Sequence, residues 1–258
     1  MITANDNGVL RSLGTVSENN GGVLHELNTV HANDGGVLRE VYSAAKPLSS
    51  LNVGDIVKIK EDSVPTNFII VHKGNPDPTL YDASCNGIWL LRERIHRKYG
   101  LGTNGWYDTT YIHSWLNNGY LNSLETNVIK TVKIPYLRLD NYSSTIQSGV
   151  NGLSCSVFLL SAYEVGLSTF GGNGADGSKL SYFSDDTSRI VKDNTGTAVV
   201  WWTRSGDDRT GVYCCVGKEG EAIHRVSGYV TTGIDYGIRP ALILPDTVRV
   251  DSDGNIVV

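Results

Sequence analysis

The sequence predicts an α+β protein, and three observations carry the prediction. Two stretches before residue 130 have apolar residues at helical spacing, nearly every apolar run from Ala198 onward is strand-like, and 29 glycines stand beside only 7 prolines without a tripeptide period. Glycine of that kind marks tight turns in a loop-rich β protein rather than collagen. At 40% hydrophobic and 19% charged, the chain has the composition of a globular protein, which excludes disorder for its bulk. Its 258 residues exceed an average domain, although single β-rich domains reach this size.

The N-terminus is repetitive. NGVLRSL, GGVLHEL and GGVLREV begin at residues 7, 21 and 35, hence every 14 residues, and GTVSENN and NTVHAND lie between them. Each unit is an apolar run, a Thr-Val pair and a polar turn ending in Gly, which predicts short stacked hairpins. No such unit can bury its own apolar face, so residues 1–46 are expected to be an attachment or oligomerisation arm. The arm would form a homotrimer or dock on a larger particle. A flexible Asn-rich linker is the alternative, against which the Val and Leu content argues. AAKPLSS at 44–50 breaks the pattern at Pro47 and opens a second domain, 47–258.

In that domain VGDIVKIK and TNFIIVHK predict a hairpin, and GIWLLRE at 87–93 a further strand. DTTYIHSWLNNG then changes period: Asp108 caps a helix, Tyr111, Ile112, Trp115 and Leu116 form its apolar face, and Asn118-Gly119 stops it. Leu121, Leu124, Val128 and Ile129 predict a second helix ending before Pro135. VFLLSAYEVG reads as a strand entering a short helix, with Ser161 and Glu164 in capping-box spacing. After a Gly/Ser/Asp-rich loop come AVVWWTRS, TGVYCCVG, EAIHRVSG, YVTTG and YGIRPALIL as strands. VRVDSDGNIVV is a final hairpin around its Asp-Gly turn.

Several chemistries are excluded. A net charge of −5 without a Lys/Arg run speaks against nucleic acid. No apolar run has the length of a membrane span and no leader pattern opens the chain, so cytoplasmic synthesis without membrane insertion is expected. Cys85, Cys155, Cys214 and Cys215 show neither CxxC nor metal-type pairing with His and are read as free thiols. Gly172, Gly174 and Gly177 form a GxGxxG, but no βαβ unit surrounds them. DSDGN at 251–255 lacks the distal Glu of a calcium loop, and Asp176, Asp185 and Asp186 have no ligand spacing. The six histidines are scattered, with no HExxH, and no Gly-x-Ser-x-Gly occurs. No catalytic residue, metal or cofactor is therefore assigned.

The order FLLSAYEVG, WWTRSG, a variable stretch and GIRPALIL resembles a family of domains from gut bacteria and their phages. That family is related to the formylglycine-generating-enzyme type of C-type-lectin fold, and the match covers residues 51–245. The resemblance implies a C-type-lectin-like ligand-binding domain, as in the variable proteins of diversity-generating retroelements, where residues between the two motifs are mutated. The GVLRE repeats are similar to segments of phage tail proteins. From these follow a phage-tail or extracellular location, a host cell-surface protein or glycan as ligand, and other virion proteins as partners of residues 1–46. The calcium-binding tripeptides of sugar-binding lectins are absent, so that activity does not carry over. A formylglycine-generating oxidase, with copper held by two cysteines, is the enzymatic alternative. Cys214 and Cys215 are adjacent on a strand and point to opposite faces, one expected in the core and one at the surface. A virion decoration protein without a ligand is a third reading.

Within the motifs, Trp201 and Trp202 alternate faces, one sealing the core and the other turned outward. Arg204 and Arg239 are read as scaffold residues that satisfy backbone carbonyls. The expected ligand surface is Trp202, Asp207, Asp208, Arg209, Tyr213, Cys215, Glu219, Glu221, His224, Arg225 and Tyr229. This mixture of rings, charges and a thiol has no apolar period and suits recognition. Solvated loops without a partner are the alternative.

Overall fold

Strands account for 40% of the residues in the computed structural model and helices for 14%, so the α+β expectation is overturned: the protein is predominantly β, built from several small sheets. Described are residues 45–101, 106–140, 143–168, 174–206, 212–224 and 236–257, together with the strands between residues 3 and 43.

Two five-stranded sheets form the body. The first runs in the order Val157–Phe158, Ala241–Leu244, Ile88–Arg92, Val64–Lys73, Ile56–Glu61, all antiparallel. Its central runs, IWLL and ALIL, lack polar alternation because both faces are covered. Ile88, Leu90, Leu242 and Leu244 face one apolar cluster, while Trp89, Leu91, Ala241 and Ile243 face another. The second sheet runs Arg97–Tyr99, Tyr236–Ile238, Trp201–Gly206, Tyr213–Val216, Ala222–His224. It too contributes to both clusters, Trp202 to the first and Trp201 to the second.

The helical expectations fail for local reasons. Thr110, not Asp108, caps the helix Tyr111–Trp115, its Oγ1 accepting from the His113 N–H at 3.1 Å, while Asp108 lies in the 3-10 turn Tyr107–Thr109. Asn118-Gly119 does not stop the chain. The helix widens into a π turn over Leu116–Tyr120 and continues through Leu121–Ser123, with the Asn117 and Asn118 amides donating back to the carbonyls of His113 and Ser114. The second helix is absent. Leu124 is buried and bridges to Glu61, Val128 and Ile129 pack on the core, and the N–H groups of Glu125 and Lys130 donate to the carbonyls of Lys60 and Ile243. Edge pairing satisfies both the backbone and the apolar side chains there, which leaves a helix nothing to add.

Ser161 and Glu164 do form the reciprocal box: the Glu164 N–H donates to Ser161 Oγ at 3.0 Å and the Ser161 N–H to Glu164 Oε2 at 2.8 Å. No helix grows from it. The chain makes one turn and closes at Gly166, whose φ of +77° a side chain would strain.

In the arm, three antiparallel ladders pair Thr3–Asp6 with Val9–Ser12, Ser17–Asn20 with Val23–Glu26, and Thr29–Asp34 with Val37–Ser43. Leu10, Leu24 and Leu38 stand at equivalent positions, opposite Asn5, Asn19 and Asn33. Each apolar run thus pairs with the polar run before it. Where the arm ends, Lys46–Pro47 joins Arg249–Val250, which pairs in turn with Ile256–Val257 around the Asp-Gly turn. Among the described residues no helix is long and apolar enough to cross a membrane.

Candidate ligand-binding surface

The strand Trp201–Gly206 is the strut on which the surface depends. Arg204, 1% exposed, uses all five of its N–H donors. Nη1 and Nη2 each reach Glu164 at 2.6 Å, Nε reaches the Pro135 carbonyl at 3.0 Å, and the remaining two reach the Leu159 and Asp176 carbonyls at 2.9 and 3.0 Å. Burial opposes the guanidinium's charge, but Glu164 outweighs it and keeps Arg204 protonated. Tyr81 donates to Glu164 at 2.7 Å, and Ser205 donates to Asp176 at 2.7 Å while accepting from the Ala162 N–H. Burial pushes the Asp176 carboxyl up to about 6, against the opposing pull of Arg204. A Cβ at Gly177 would stand 2.3 Å from Ser161 Oγ, so only glycine lets the loop close over this cluster. A bidentate, fully bonded ion pair thus ties four chain segments together.

Arg239 is tied less completely. Nε and Nη2 donate to the carbonyls of Arg92 and Glu93, and its guanidinium lies 5.1 Å from the Trp201 ring, but Nη1 is shielded without a partner. Burial lowers its pKa to about 10. Trp201 donates its indole N–H to the Arg189 carbonyl.

Three residues expected on the ligand surface lie in the core instead. Trp202 is 4% exposed and donates its indole N–H to the Tyr99 carbonyl; Tyr213 is 3% exposed and Cys215 fully buried. The reason is topological: Tyr213–Val216 is an inner strand, paired on both edges, and its sheet is covered on both faces. The expectation that one of Cys214 and Cys215 is exposed is corrected in the same way, because both are buried, and burial pushes the Cys214 thiol up to about 12. Glu219 and Glu221 are exposed at the turn Lys218–Gly220, and His224 ends the strand Ala222–His224 opposite Cys214. Asp207, Asp208, Arg209, Arg225 and Tyr229 lie outside the described residues. Asp185 caps the short helix Asp186–Arg189, and Asp186 pairs with Arg189. Among the described residues no group of three or more His, Cys, Asp or Glu gathers as a metal site would require.

Sequence reasoning missed a second feature of this surface. The strand Arg97–Tyr99 is the edge next to Tyr236–Ile238, and the helix Tyr111–Trp115 lies against it. Tyr99 and Tyr111 are 41% and 44% exposed, with ring centroids 5.3 Å apart. The Arg97 guanidinium sits 4.2 Å from the Trp115 ring and 5.0 Å from that of Tyr99. Behind it, Glu61 takes a bidentate grip from Arg92, a hydrogen bond from Tyr120, and the charge of His96 Nδ1 at 3.7 Å when that ring is protonated. Burial raises the Glu61 pKa, but His96, Arg92 and Tyr120 outweigh it and hold the carboxyl at about 2. The signal available in the sequence was HRKYG at 96–100, a basic and aromatic run without period.

A family model described as Domain of unknown function (DUF6273) matches residues 86–246. No curated protein and no solved structure matches the chain.

Proposed function

Since the chain belongs to the DUF6273 family, a description that carries no activity, we propose a non-enzymatic binding protein that uses residues between 205 and 236, the exposed Glu219 and Glu221 among them, to bind a ligand on a cell surface. In this reading residues 1–46 assemble or attach the molecule, as a homotrimer on a phage tail. The carrying observation is the Arg204 hub. It fixes the strand that delivers residues 207–211, and the strands Ala222–His224 and Tyr236–Ile238 bracket residues 225–235. A rigid support with satisfied donors lets the residues that follow it in sequence vary without unfolding the core. The resemblance to variable display proteins supports the same division of labour. An oxidase is disfavoured by the burial of Cys214 and Cys215 and by the raised Cys214 thiol, since the thiolate is the reactive and metal-binding form.

The test is a pull-down on bacterial envelopes with the full chain and a variant in which residues 207–211 and 225–235 are scrambled together with Glu219→Gln and Glu221→Gln. Tyr213–Val216 is left intact because it is core. Loss of capture at an unchanged thermal midpoint supports the reading, and unchanged capture defeats it.

A further inference from the structure

We propose that the cavity bounded by Lys73, Lys130 and Asp246 is a binding site for a phosphate ester of a small sugar or polyol. It lies outside residues 205–236, so the assignment does not depend on the binding reading above. The cavity, of about 470 Å³, opens where three strand ends meet a 3-10 turn. Lys73 closes Val64–Lys73, Ile88 opens Ile88–Arg92, Pro245 and Asp246 follow Ala241–Leu244, and Ser49 lies in the turn Leu48–Ser50. Small-molecule sites have volumes in this range, roughly 300–1,000 Å³.

Two ammonium groups set its chemistry. Lys73 Nζ donates to the carbonyls of Ser49 and Leu51, each at 2.7 Å, and Lys130 Nζ donates to the carbonyl of Asn86. Ser49 and Asn86 themselves line the cavity, so each ammonium rests on its wall. Of the three N–H donors on each, one stays open on Lys73 and two on Lys130. Both are within reach of a ligand, Lys73 being exposed and Lys130 half-buried, and among the described residues neither pairs with a carboxylate.

Point charges on separate chain segments suit the diverging oxygens of a tetrahedral phosphate. A planar carboxylate is better gripped by a guanidinium fork, and no arginine lines the cavity. Two ammoniums against the single carboxylate of Asp246 leave an excess of one positive charge, which suits one phosphate group rather than a polyphosphate. Asp246 is exposed and serves as the acceptor for a sugar hydroxyl. Among the lining residues only Ile88 and Pro245 carry apolar side chains and none is aromatic. A nucleobase therefore has nothing to stack on, and an acyl chain nothing to lie along.

The experiment is calorimetric titration of the full chain at low salt with glucose 6-phosphate, beside glucose, glucuronate, inorganic phosphate and vesicles containing phosphatidylglycerol. Glucose 6-phosphate is expected to bind about tenfold or more tightly than glucose or glucuronate, and to raise the thermal midpoint of the wild type. Lys73→Gln and Lys130→Gln are each expected to remove that preference. Asp246→Ala, at an exposed site, is expected to weaken glucose 6-phosphate without weakening inorganic phosphate. Because both lysines also cap backbone carbonyls, each variant's thermal midpoint is read beside its affinity, and Asp246→Ala still tests the site should a lysine variant unfold. No binding of glucose 6-phosphate, glucuronate or inorganic phosphate bound as tightly as the ester, binding of the vesicles alone, or a preference for the ester that outlasts Lys130→Gln at an unchanged midpoint overturns the assignment.

Discussion

Arg204 and Glu164 meet with no water around them, and such a pair is far harder to break than to replace. Arg204→Met leaves the Glu164 carboxylate buried with only the Tyr81 hydroxyl and the Ser161 N–H donating to it, and takes a donor from the carbonyls of Pro135, Leu159 and Asp176. A loss of about 3–5 kcal/mol in urea unfolding is expected. The four cysteines predict a different behaviour. All are buried, so a thiol reagent should label them slowly in the folded protein and fully in urea, as absorbance would record. Two carboxyls give opposite pH dependences. Asp176 has a folded pKa of about 6, above its ordinary 3.8, so folding takes up a proton between those values and this group favours the fold more as pH falls through that window. Glu61, at about 2 against 4.5, contributes fully above pH 4.5 and loses its contribution as pH falls towards 2. Urea midpoints should therefore show wild type gaining on Asp176→Asn as pH falls from about 6 to about 4, and losing its advantage over Glu61→Gln as pH falls from 4.5 towards about 2.

At the scale of elements, the helix start separates two candidate caps two residues apart. Thr110→Ala should cost about 1 kcal/mol in thermal unfolding, and Asp108→Ala less, because only Thr110 accepts the His113 N–H. What was legible in the sequence follows from this kind of competition. Strands such as IWLL, TNFIIVHK and ALIL were readable because apolar β-branched and aromatic runs have few other uses. The DSDGN hairpin was readable because a short polar turn sets its own register. The expected second helix failed because Leu124, Val128 and Ile129 satisfy a helical spacing and an extended path equally well, and only the distant Lys60 and Ile243 backbones decide between them. Ser161 and Glu164 spelled a helix start correctly at the level of hydrogen bonds, yet the carboxylate was already engaged by Arg204, forty residues on. The misplaced surface residues share one cause: Trp202 was read as the outward member of an alternating pair and Tyr213 and Cys215 as part of a stretch without apolar period, and nothing local reveals that their strands have neighbours on both edges and cover on both faces.

At the scale of the molecule, the arm and the domain meet at a definite place. If the arm assembles a homotrimer as proposed, deleting residues 1–44 should leave a folded domain with an unchanged thermal midpoint and a monomer's mass in light scattering; an unchanged mass would remove the assembly role. Extending the deletion through Leu48 should lower the midpoint, because Lys46 and Pro47 pair with Val250 and Arg249, and the Leu48 N–H reaches the Val248 carbonyl at 2.6 Å. That joint also decides how the protein bears load. If the arm is tethered to a particle while the far surface grips a cell, tension enters at Pro47 and is shared at once with Arg249–Val250. The outermost ladder then works as a mechanical fuse, peeling open over a few bonds while the two five-stranded sheets keep their shape.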